Sequence, residues 1–299
     1  MAAVLLAMAG LSALEMRVLW PLLGESAPQF TLQQVRRVSL AVEGQPGNLS
    51  GVAVTPSGTV WVADVTLGRL VALDAGGTVL AEFEAKEPTG ISADGEAVLV
   101  VDPRSGVVRR IALGKGVTQT WDLTGYGLYV PRGVVRRRDG TLVVASTGSS
   151  FVILLGADGE EKGRLGESSR GQGELLGPDY PMVDEQGRVY ISDGNVGVRR
   201  WTVRGQPDVT FRTRDRIAGA LSSPRQFDLD GQGRLWVADE AAGRVWLFGS
   251  EGGLLGYWQN PNVRHPEGLA VSGNRLYLTS RDTSDLYVFE IPDSLPGLP

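Results

Sequence analysis

The 299-residue chain contains no cysteine and a single histidine, His265. The lack of cysteine excludes a disulfide framework, a thiolate zinc site and a cysteine nucleophile. One imidazole cannot build a multi-histidine metal site, so we interpret His265 as a loop side chain near a rim. A Gly-rich loop of the nucleotide-binding kind is also missing. Composition therefore excludes several catalytic and cofactor classes.

Basic residues are outnumbered by acidic ones, 29 Lys and Arg against 34 Asp and Glu, and the formal net charge is -5. This balance disfavours a purely electrostatic grip on nucleic acid or anionic lipid. Two basic runs, Arg136 to Arg138 and Arg212 to Arg216, fall in different connectors and do not form one stripe. We interpret both runs as solvated surface, and we do not expect nucleic acid as a partner.

The N-terminal residues 1–24 differ from the rest of the chain because they are almost uncharged and rich in Ala and Leu. A helix from Ala2 to Trp20 would be about 28 Å long at about 1.5 Å per residue, close to the roughly 30 Å hydrocarbon core of a bilayer. No Lys or Arg precedes the apolar run, which weakens a cleaved-signal interpretation. We expect residues 2–23 to be a membrane anchor or an uncleaved signal, with the following domain extracytoplasmic. The alternatives are a cleaved signal and a helix packed on a soluble domain, and the flanking charges do not fix the orientation.

After residue 24 the sequence repeats, with two landmarks in constant register. The inner landmark is the first residue of a short apolar strand, and a proline stands two residues before five of its six occurrences. The inner landmarks are Gly51, Gly90, Gly133, Tyr180, Gln226 and Gly268, at intervals of 39, 43, 47, 46 and 42 residues. The second landmark ends the next strand. The second landmarks are Asp64, Asp102, Ser146, Asp193, Asp239 and Ser280.

A period near 43 residues, rich in Val, Trp and Tyr, predicts an all-β six-bladed β-propeller with four-stranded antiparallel blades. Two neighbouring segments of the sequence, around Trp236 and Trp246, are apolar at nearly every position. Blades of a propeller stack face to face and so bury both faces of such strands, and we expect the Trp236 and Trp246 side chains to pack between blades. The last blade lacks a fourth strand, so the strand Arg36 to Val42 is predicted to close the ring. The predicted organisation is an apolar helix over 1–24, a linker and closing strand over 25–48, the propeller over 49–293 and a tail over 294–299.

The segments GTVWVADVTLGRLVALDAGGTVL and GRLWVADEAAGRVWLFGSEGGLL resemble NHL repeats, as does GRVYISDGNVGVRRWTVRGQPDV. The NHL pattern is a strand ending in Ala-Asp, a short loop, then Arg-hydrophobic-x-hydrophobic-Phe. The resemblance covers roughly residues 51 to 291 and implies an NHL-like six-bladed propeller. WD40 repeats are disfavoured, because Trp121-Asp122 is the only Trp-Asp pair and there is no Gly-His.

Candidate binding residues stand where the inner strands enter the central channel. The residues just before the inner landmarks of four consecutive blades are charged, in the order Arg, Asp, Arg and Glu. We expect either a ring of interblade ion pairs or a polar pocket in which arginines hold a carboxylate, a sugar or a peptide terminus. The predicted channel-mouth residues are Arg132, Asp179, Tyr180, Arg225, Gln226 and Glu267.

From these residues we expect a non-catalytic binding module with no cofactor and no metal. Its partner is expected to be a protein, which can belong to a membrane complex, or a small ligand at the channel mouth. The main alternative is a metal-dependent lactonase-like hydrolase of the gluconolactonase type, and the second is an RNA-binding NHL propeller. Oxygen ligands for a metal are available at Asp179, Asp193, Asn195, Asp239 and Glu267. Two arginines at the same rim would repel a cation, however, and Ser50 replaces the early Glu usual in gluconolactonases. The recurring second-landmark aspartates are interpreted as turn caps.

Overall fold

A computed structural model describes residues 27–45, 47–167, 173–194, 197–211, 213 and 221–295. The strands of the first half of the chain are β1 (Gln33–Ser39), β2 (Leu49–Val54), β3 (Val60–Asp64), β4 (Arg69–Leu73), β5 (Val79–Glu84), β6 (Ile91–Asp94), β7 (Ala97–Asp102), β8 (Val107–Ala112), β9 (Gly116–Asp122), β10 (Pro131–Arg136), β11 (Leu142–Ser146) and β12 (Phe151–Leu155). Those of the second half are β13 (Glu161–Leu165), β14 (Pro178–Val183), β15 (Val189–Asp193), β16 (Gly197–Trp201), β17 (Pro224–Leu229), β18 (Leu235–Asp239), β19 (Arg244–Phe248), β20 (Leu254–Trp258), β21 (Pro266–Ser272), β22 (Arg275–Ser280) and β23 (Asp285–Glu290).

The strands form six separate antiparallel sheets, which confirms the predicted six-bladed propeller. Blades 1, 2, 3 and 5 are the four-stranded sheets β2-β3-β4-β5, β6-β7-β8-β9, β10-β11-β12-β13 and β17-β18-β19-β20. Blade 4 has three strands within the described residues, β14-β15-β16, and a single bridge from Trp201 to Pro207 continues its outer edge. Inner strands of neighbouring blades contact each other, so the ring surrounds one channel.

The sixth blade joins the two ends of the propeller, as the sequence predicted. Its sheet has the order β1-β23-β22-β21, and β1 pairs antiparallel with β23, Arg37 opposite Tyr287. The closing strand begins at Gln33, three residues before the predicted Arg36. Of the predicted tail, Leu295 is 6% exposed and belongs to the apolar cluster that joins blades 5 and 6. Closure by both ends leaves the last blade without an unpaired outer edge at β23.

The apolar core lies between blades, because each interior sheet is covered on both faces. Trp236 is fully buried and clusters with Leu269 and Leu276 of blade 6. Trp246, on the adjacent strand of the same hairpin, clusters with Tyr190 of blade 4. The two tryptophans therefore fill opposite interblade spaces, as predicted.

The second landmarks are the last residues of the second strand of each blade, in all six blades. Asp239 shows their role: its two carboxylate oxygens accept the backbone N–H groups of Ser222 and Ser223, both at 2.8 Å. The carboxylate also accepts the Trp246 indole N–H at 3.0 Å. In the same way, Asp64 accepts the N–H of Leu67 at 3.1 Å. Their interpretation as turn caps is confirmed.

Two of the six inner landmarks, Tyr180 and Gln226, lie between the two cavities of the channel and close it. The other four are glycines, which lets the inner strands approach the axis closely. Into this space Gln226 Oε1 accepts the N–H groups of Val52 at 3.0 Å and Leu269 at 3.2 Å. Gln226 Nε2 donates to Tyr180 Oη at 2.9 Å, and Tyr180 Oη donates to the Ile91 carbonyl at 2.6 Å. We call Tyr180 and Gln226 the channel plug, because together they form hydrogen bonds to three other blades, at Val52, Ile91 and Leu269.

The helix predicted over 1–24 and the membrane association inferred from it fall outside the described residues. Nowhere in the described part of 27–295 does a helix reach the length and hydropathy that a bilayer span requires. The basic run at Arg212 to Arg216 lies outside the described residues as well, apart from Thr213.

Candidate functional site

A ring of six side chains, one from each blade, lies at the mouth of the channel above the plug. Each belongs to the residue just before an inner landmark, at the start of an inner strand. The structure brings together all four charged residues predicted from this register and places the predicted Tyr180 and Gln226 directly beneath them. The ring consists of Ser50, Thr89, Arg132, Asp179, Arg225 and Glu267.

Arg225 is the most fully engaged member of the ring. Its Nη1 lies 2.5 Å from Asp179 Oδ2, and its Nη2 lies 2.7 Å from Glu240 Oε2. Burial disfavours the charge of Arg225, but Asp179 and Glu240 outweigh burial and raise its pKa. Glu240 is held further by Arg281 Nη1 at 2.9 Å, and although burial opposes it, the two arginines lower the Glu240 pKa. This half of the ring is an interblade ion-pair network.

Glu267 is different, because its carboxylate accepts no hydrogen bond from any described residue. Its side chain is 12% exposed, and its nearest cation is Arg132 Nη2 at 4.0 Å from Oε1. Burial raises the pKa of Glu267 to about 7, against the lowering by Arg225 and Arg132. A carboxylate with a pKa near neutrality can both take up and release a proton at physiological pH.

Arg132 reaches the axis from blade 3, opposite Glu267 of blade 6. Its Nε lies 3.5 Å from Asp179 Oδ1, beyond a good hydrogen bond, and its side chain is 28% exposed. Within the described residues the guanidinium donates no hydrogen bond. Its backbone carbonyl is occupied, since Thr89 Oγ1 donates to it at 3.1 Å. Arg132 therefore has free donors at the channel mouth that a ligand can use.

A cleft of about 730 Å³ opens directly above Arg132 and Glu267. One wall is apolar and includes Leu128 and Tyr129, a residue that is 71% exposed. Val130 follows with φ +60°, a strained conformation for a β-branched residue. Its strained backbone directly precedes the strand that carries Arg132. The charged side chains lining the cleft are Glu87, Arg104, Arg132, Arg225, Glu267 and Arg281.

Sequence reasoning missed Glu240 and Arg281, although the register contained a signal for both. Each follows a second landmark directly, Asp239 and Ser280 respectively. The turn that a second landmark caps carries the next side chain back towards the axis, which places a second set of residues around the mouth. Tyr129 had no comparable signal, because it lies in an irregular connector.

The mouth does not fit a divalent metal. Asp179 and Glu240 each contact Arg225, and Arg132 lies beside Glu267, so guanidinium groups occupy the space where a cation would bind. Asp193 and Asp239, counted earlier as oxygen ligands, accept backbone N–H groups in their turns; Asn195 lies outside the described residues. Among the residues that the structure describes, no group of three or more His, Asp or Glu side chains could hold a metal ion.

His265 is an exposed loop residue next to blade 6, as predicted. Arg136, from the first basic run, points away from the mouth: it lies 3.4 Å from Asp94 and over the Trp121 ring. Neither residue belongs to the cleft.

No family model matches the chain, and no curated protein matches it either. The chain is similar in fold to solved structures of low sequence identity. A gluconolactonase from Xanthomonas campestris is 19% identical, with a TM-score of 0.66 over 90% of this chain and 96% of that one. A catalytically inactive virginiamycin B lyase from Staphylococcus aureus is 13% identical, with a TM-score of 0.64 over 86% and 99%. Hydrazine synthase from Kuenenia stuttgartiensis is 13% identical, with a TM-score of 0.61 over 84% and 97%.

These comparisons correct the prediction of a non-catalytic scaffold. The similar propellers include a gluconolactonase and a lyase, which are enzymes, so the findings favour the lactonase alternative over the scaffold. The NHL-repeat assignment is not confirmed, since no family model matches. At these identities the likeness shows the fold alone, and the chain is a six-bladed β-propeller.

Proposed function

We propose that the chain is a hydrolase that opens lactones or related esters at the channel mouth, with Glu267 as general base and Arg132 as donor to the oxyanion. The observation that carries the proposal is the pairing of two unsatisfied groups: a carboxylate with a pKa near 7 and a guanidinium with free donors, 4.0 Å apart. Both lie at the floor of a cleft large enough for a small molecule.

The chemistry balances with this pair alone. The ionised Glu267 carboxylate takes a proton from water as the water oxygen bonds to the ester carbonyl carbon. Arg132 donates to the carbonyl oxygen, where negative charge develops. The tetrahedral intermediate collapses by breaking the ester C–O bond, and the proton on Glu267 passes to the leaving alkoxide. The product of a lactone is one hydroxy acid, and no step uses a metal.

The ion-pair network supports this assignment of roles. Arg225 is bound by Asp179 and Glu240 and so has few donors left for a substrate. The positive charge of Arg225 also lowers the pKa of the buried Glu267, so that Glu267 can ionise near neutral pH. The apolar wall at Leu128 and Tyr129 accommodates the carbon part of an ester.

A panel of γ- and δ-lactones and aryl esters, assayed with and without a chelator, tests the proposal. We expect hydrolysis of at least one lactone, unchanged by the chelator, and a rate loss of about 10²–10⁴ in E267Q. The matched control is E87Q, which removes a carboxylate from the same cleft that is paired with Arg104 at 2.9 Å. Full activity in E267Q, or loss of activity on chelation, would contradict the proposal.

We also propose that the blades are NHL-like. Support comes from the Arg residues that follow the second landmarks: Arg69 Nε lies 3.2 Å from Asp64, and Arg109 Nη1 lies 3.1 Å from Asp102. The same aspartates cap the turns, so one short motif serves both contacts. If homologues of this chain conserved residues other than Arg and Asp at these positions, the assignment of the blades as NHL-like would be contradicted.

A further inference from the structure

The channel has a second cavity on the far side of the plug, away from the mouth. Its volume is about 170 Å³, and Tyr180 and Gln226 form its floor. Its walls come from the later residues of the inner strands. The side chains there include Val54, Val135, Met182, Asp228 and Val271. These five residues are partly exposed, and the cavity therefore opens to solvent at this end of the channel.

Two polar groups line this apolar cavity from opposite blades, Ser92 on β6 of blade 2 and Asp228 on β17 of blade 5. Ser92 is 7% exposed, and its Oγ has no hydrogen-bond partner within the described residues. Asp228 is held by backbone groups, since Oδ1 accepts the Leu229 N–H at 2.8 Å and Oδ2 accepts the Val271 N–H at 2.9 Å. A buried hydroxyl left without a partner costs free energy, which a ligand in the cavity would recover.

Asp228 carries a charge that the described part of the chain does not neutralise. No described Lys or Arg lies within 4.0 Å of its carboxylate. Burial raises the pKa of Asp228 to about 6, opposed by the two backbone N–H groups and reinforced by Asp230. Asp230 is itself paired with Arg234 at 2.7 Å. A partly buried carboxylate without a counter-ion favours binding of a cation.

The walls determine which kind of cation fits. Valine and methionine side chains offer no oxygen atoms to replace the water shell of a small inorganic ion, which needs several oxygen ligands. An alkylammonium ion matches the cavity better, because its charged head can reach Asp228 and Ser92 while its carbon atoms contact the walls.

We propose that this second cavity binds a small primary ammonium compound, with Asp228 as the counter-ion and Ser92 Oγ as a hydrogen-bond acceptor. The site is separate from the hydrolase proposed at the mouth, since the channel plug lies between them. Binding here does not depend on Glu267.

Titration of the full chain with n-propylammonium at pH 8 tests the site, with the Met182 methyl group as the NMR probe. Met182 lines the cavity, and its signal is assigned with the M182L variant. We expect a saturable shift of this signal with propylammonium and none with 1-propanol at the same concentration. D228N should weaken binding at least tenfold and S92A several-fold, whereas E267Q should bind as well as the unchanged protein.

The comparison of the two probes needs no variant, so it stays decisive even if D228N folds poorly. An equal shift with 1-propanol would overturn the role of Asp228. An equal shift with sodium or potassium chloride would mean a general cation effect and would overturn the ammonium site. No saturable shift with propylammonium would overturn the proposal altogether.

Discussion

Arg132 of blade 3 and Glu267 of blade 6 face each other across the channel axis, with Nη2 and Oε1 4.0 Å apart. Neither side chain forms a hydrogen bond to another described residue, although both are largely buried. The other ring carboxylate, Asp179, is bound by Arg225 at 2.5 Å. The ring thus divides into a saturated half, which holds blades together, and an unsatisfied pair, which is available for chemistry.

The hydrolytic rate should rise with pH through about 7, because Glu267 must be ionised to act as a base and its pKa is about 7. A pH profile of kcat/KM, measured on a lactone that the protein hydrolyses, tests this rise, which we call the acidic limb of the profile. H265N is the matched control, since His265 is the single histidine and lies outside the cleft. Loss of the limb in H265N would assign it to the imidazole instead.

Arg132 should contribute to the rate and little to folding. Replacement by Met removes the oxyanion donor, and we expect a rate loss of about 10²–10³. R132K should restore part of the rate, because it keeps the charge but loses the planar fork of donors. Denaturant unfolding serves as the control: a large loss of stability in R132M would show that the residue is structural.

The protein should become less stable as pH rises from about 4.5 to 7. The folded state holds a proton on Glu267 up to about 7, whereas the ordinary pKa is 4.5, so the folded state binds more protons over this range. The stabilising contribution is complete below 4.5 and is lost through 7. E267Q should flatten the decline above pH 6, while Asp228, with a pKa of about 6, still contributes below it. Urea midpoints at several pH values measure the effect; equal slopes in both proteins would contradict it.

Gln226 should be important for stability because it serves several blades at once. In Q226L the N–H groups of Val52 and Leu269 lose their acceptor, at about 1–3 kcal/mol for each buried group left unpaired. The free energy of unfolding, measured in urea, should fall accordingly. Q186L, in an exposed turn, is the matched control and should change stability little. Equal stability of the two variants would show that the plug is dispensable.

Gly90 should tolerate no side chain. A Cβ there would overlap the Arg132 carbonyl oxygen and lie 2.6 Å from Gly133 Cα, both of which are backbone atoms of the next blade. We expect G90A to destabilise the fold by about 1–3 kcal/mol, as overpacking does. G231A is the control, because Gly231 has open space around its Cβ position. A thermal melt that leaves G90A at the position of G231A would refute close blade contact at this point.

Much of the fold follows from local pattern. The inner and second landmarks recur at one period, so the six blades, their hairpins and the capped turns at Asp64 and Asp239 can be predicted from spacing alone. The closing strand follows because the last blade lacks a partner for β23. The start of that strand does not follow from the sequence, since Gln33 to Val35 carry no pattern of their own, and the strand begins three residues before the predicted Arg36.

The register of the repeat also places one residue of each blade at the channel mouth, and the sequence predicts no more of the site than this. It shows that Arg132, Asp179, Arg225 and Glu267 share a ring, but not which of them pair. Pairing depends on side-chain reach, both between neighbouring blades, as for Arg225 and Asp179, and across the axis, as for Arg132 and Glu267. The raised Glu267 pKa depends on burial, and the second cavity depends on the plug of Tyr180 and Gln226. The sequence determined the architecture, because its repeat of short apolar strands predicts sheets that are buried on both faces. Only the tertiary structure decided which charged side chains are paired, because their burial and the distances between them depend on the closed ring.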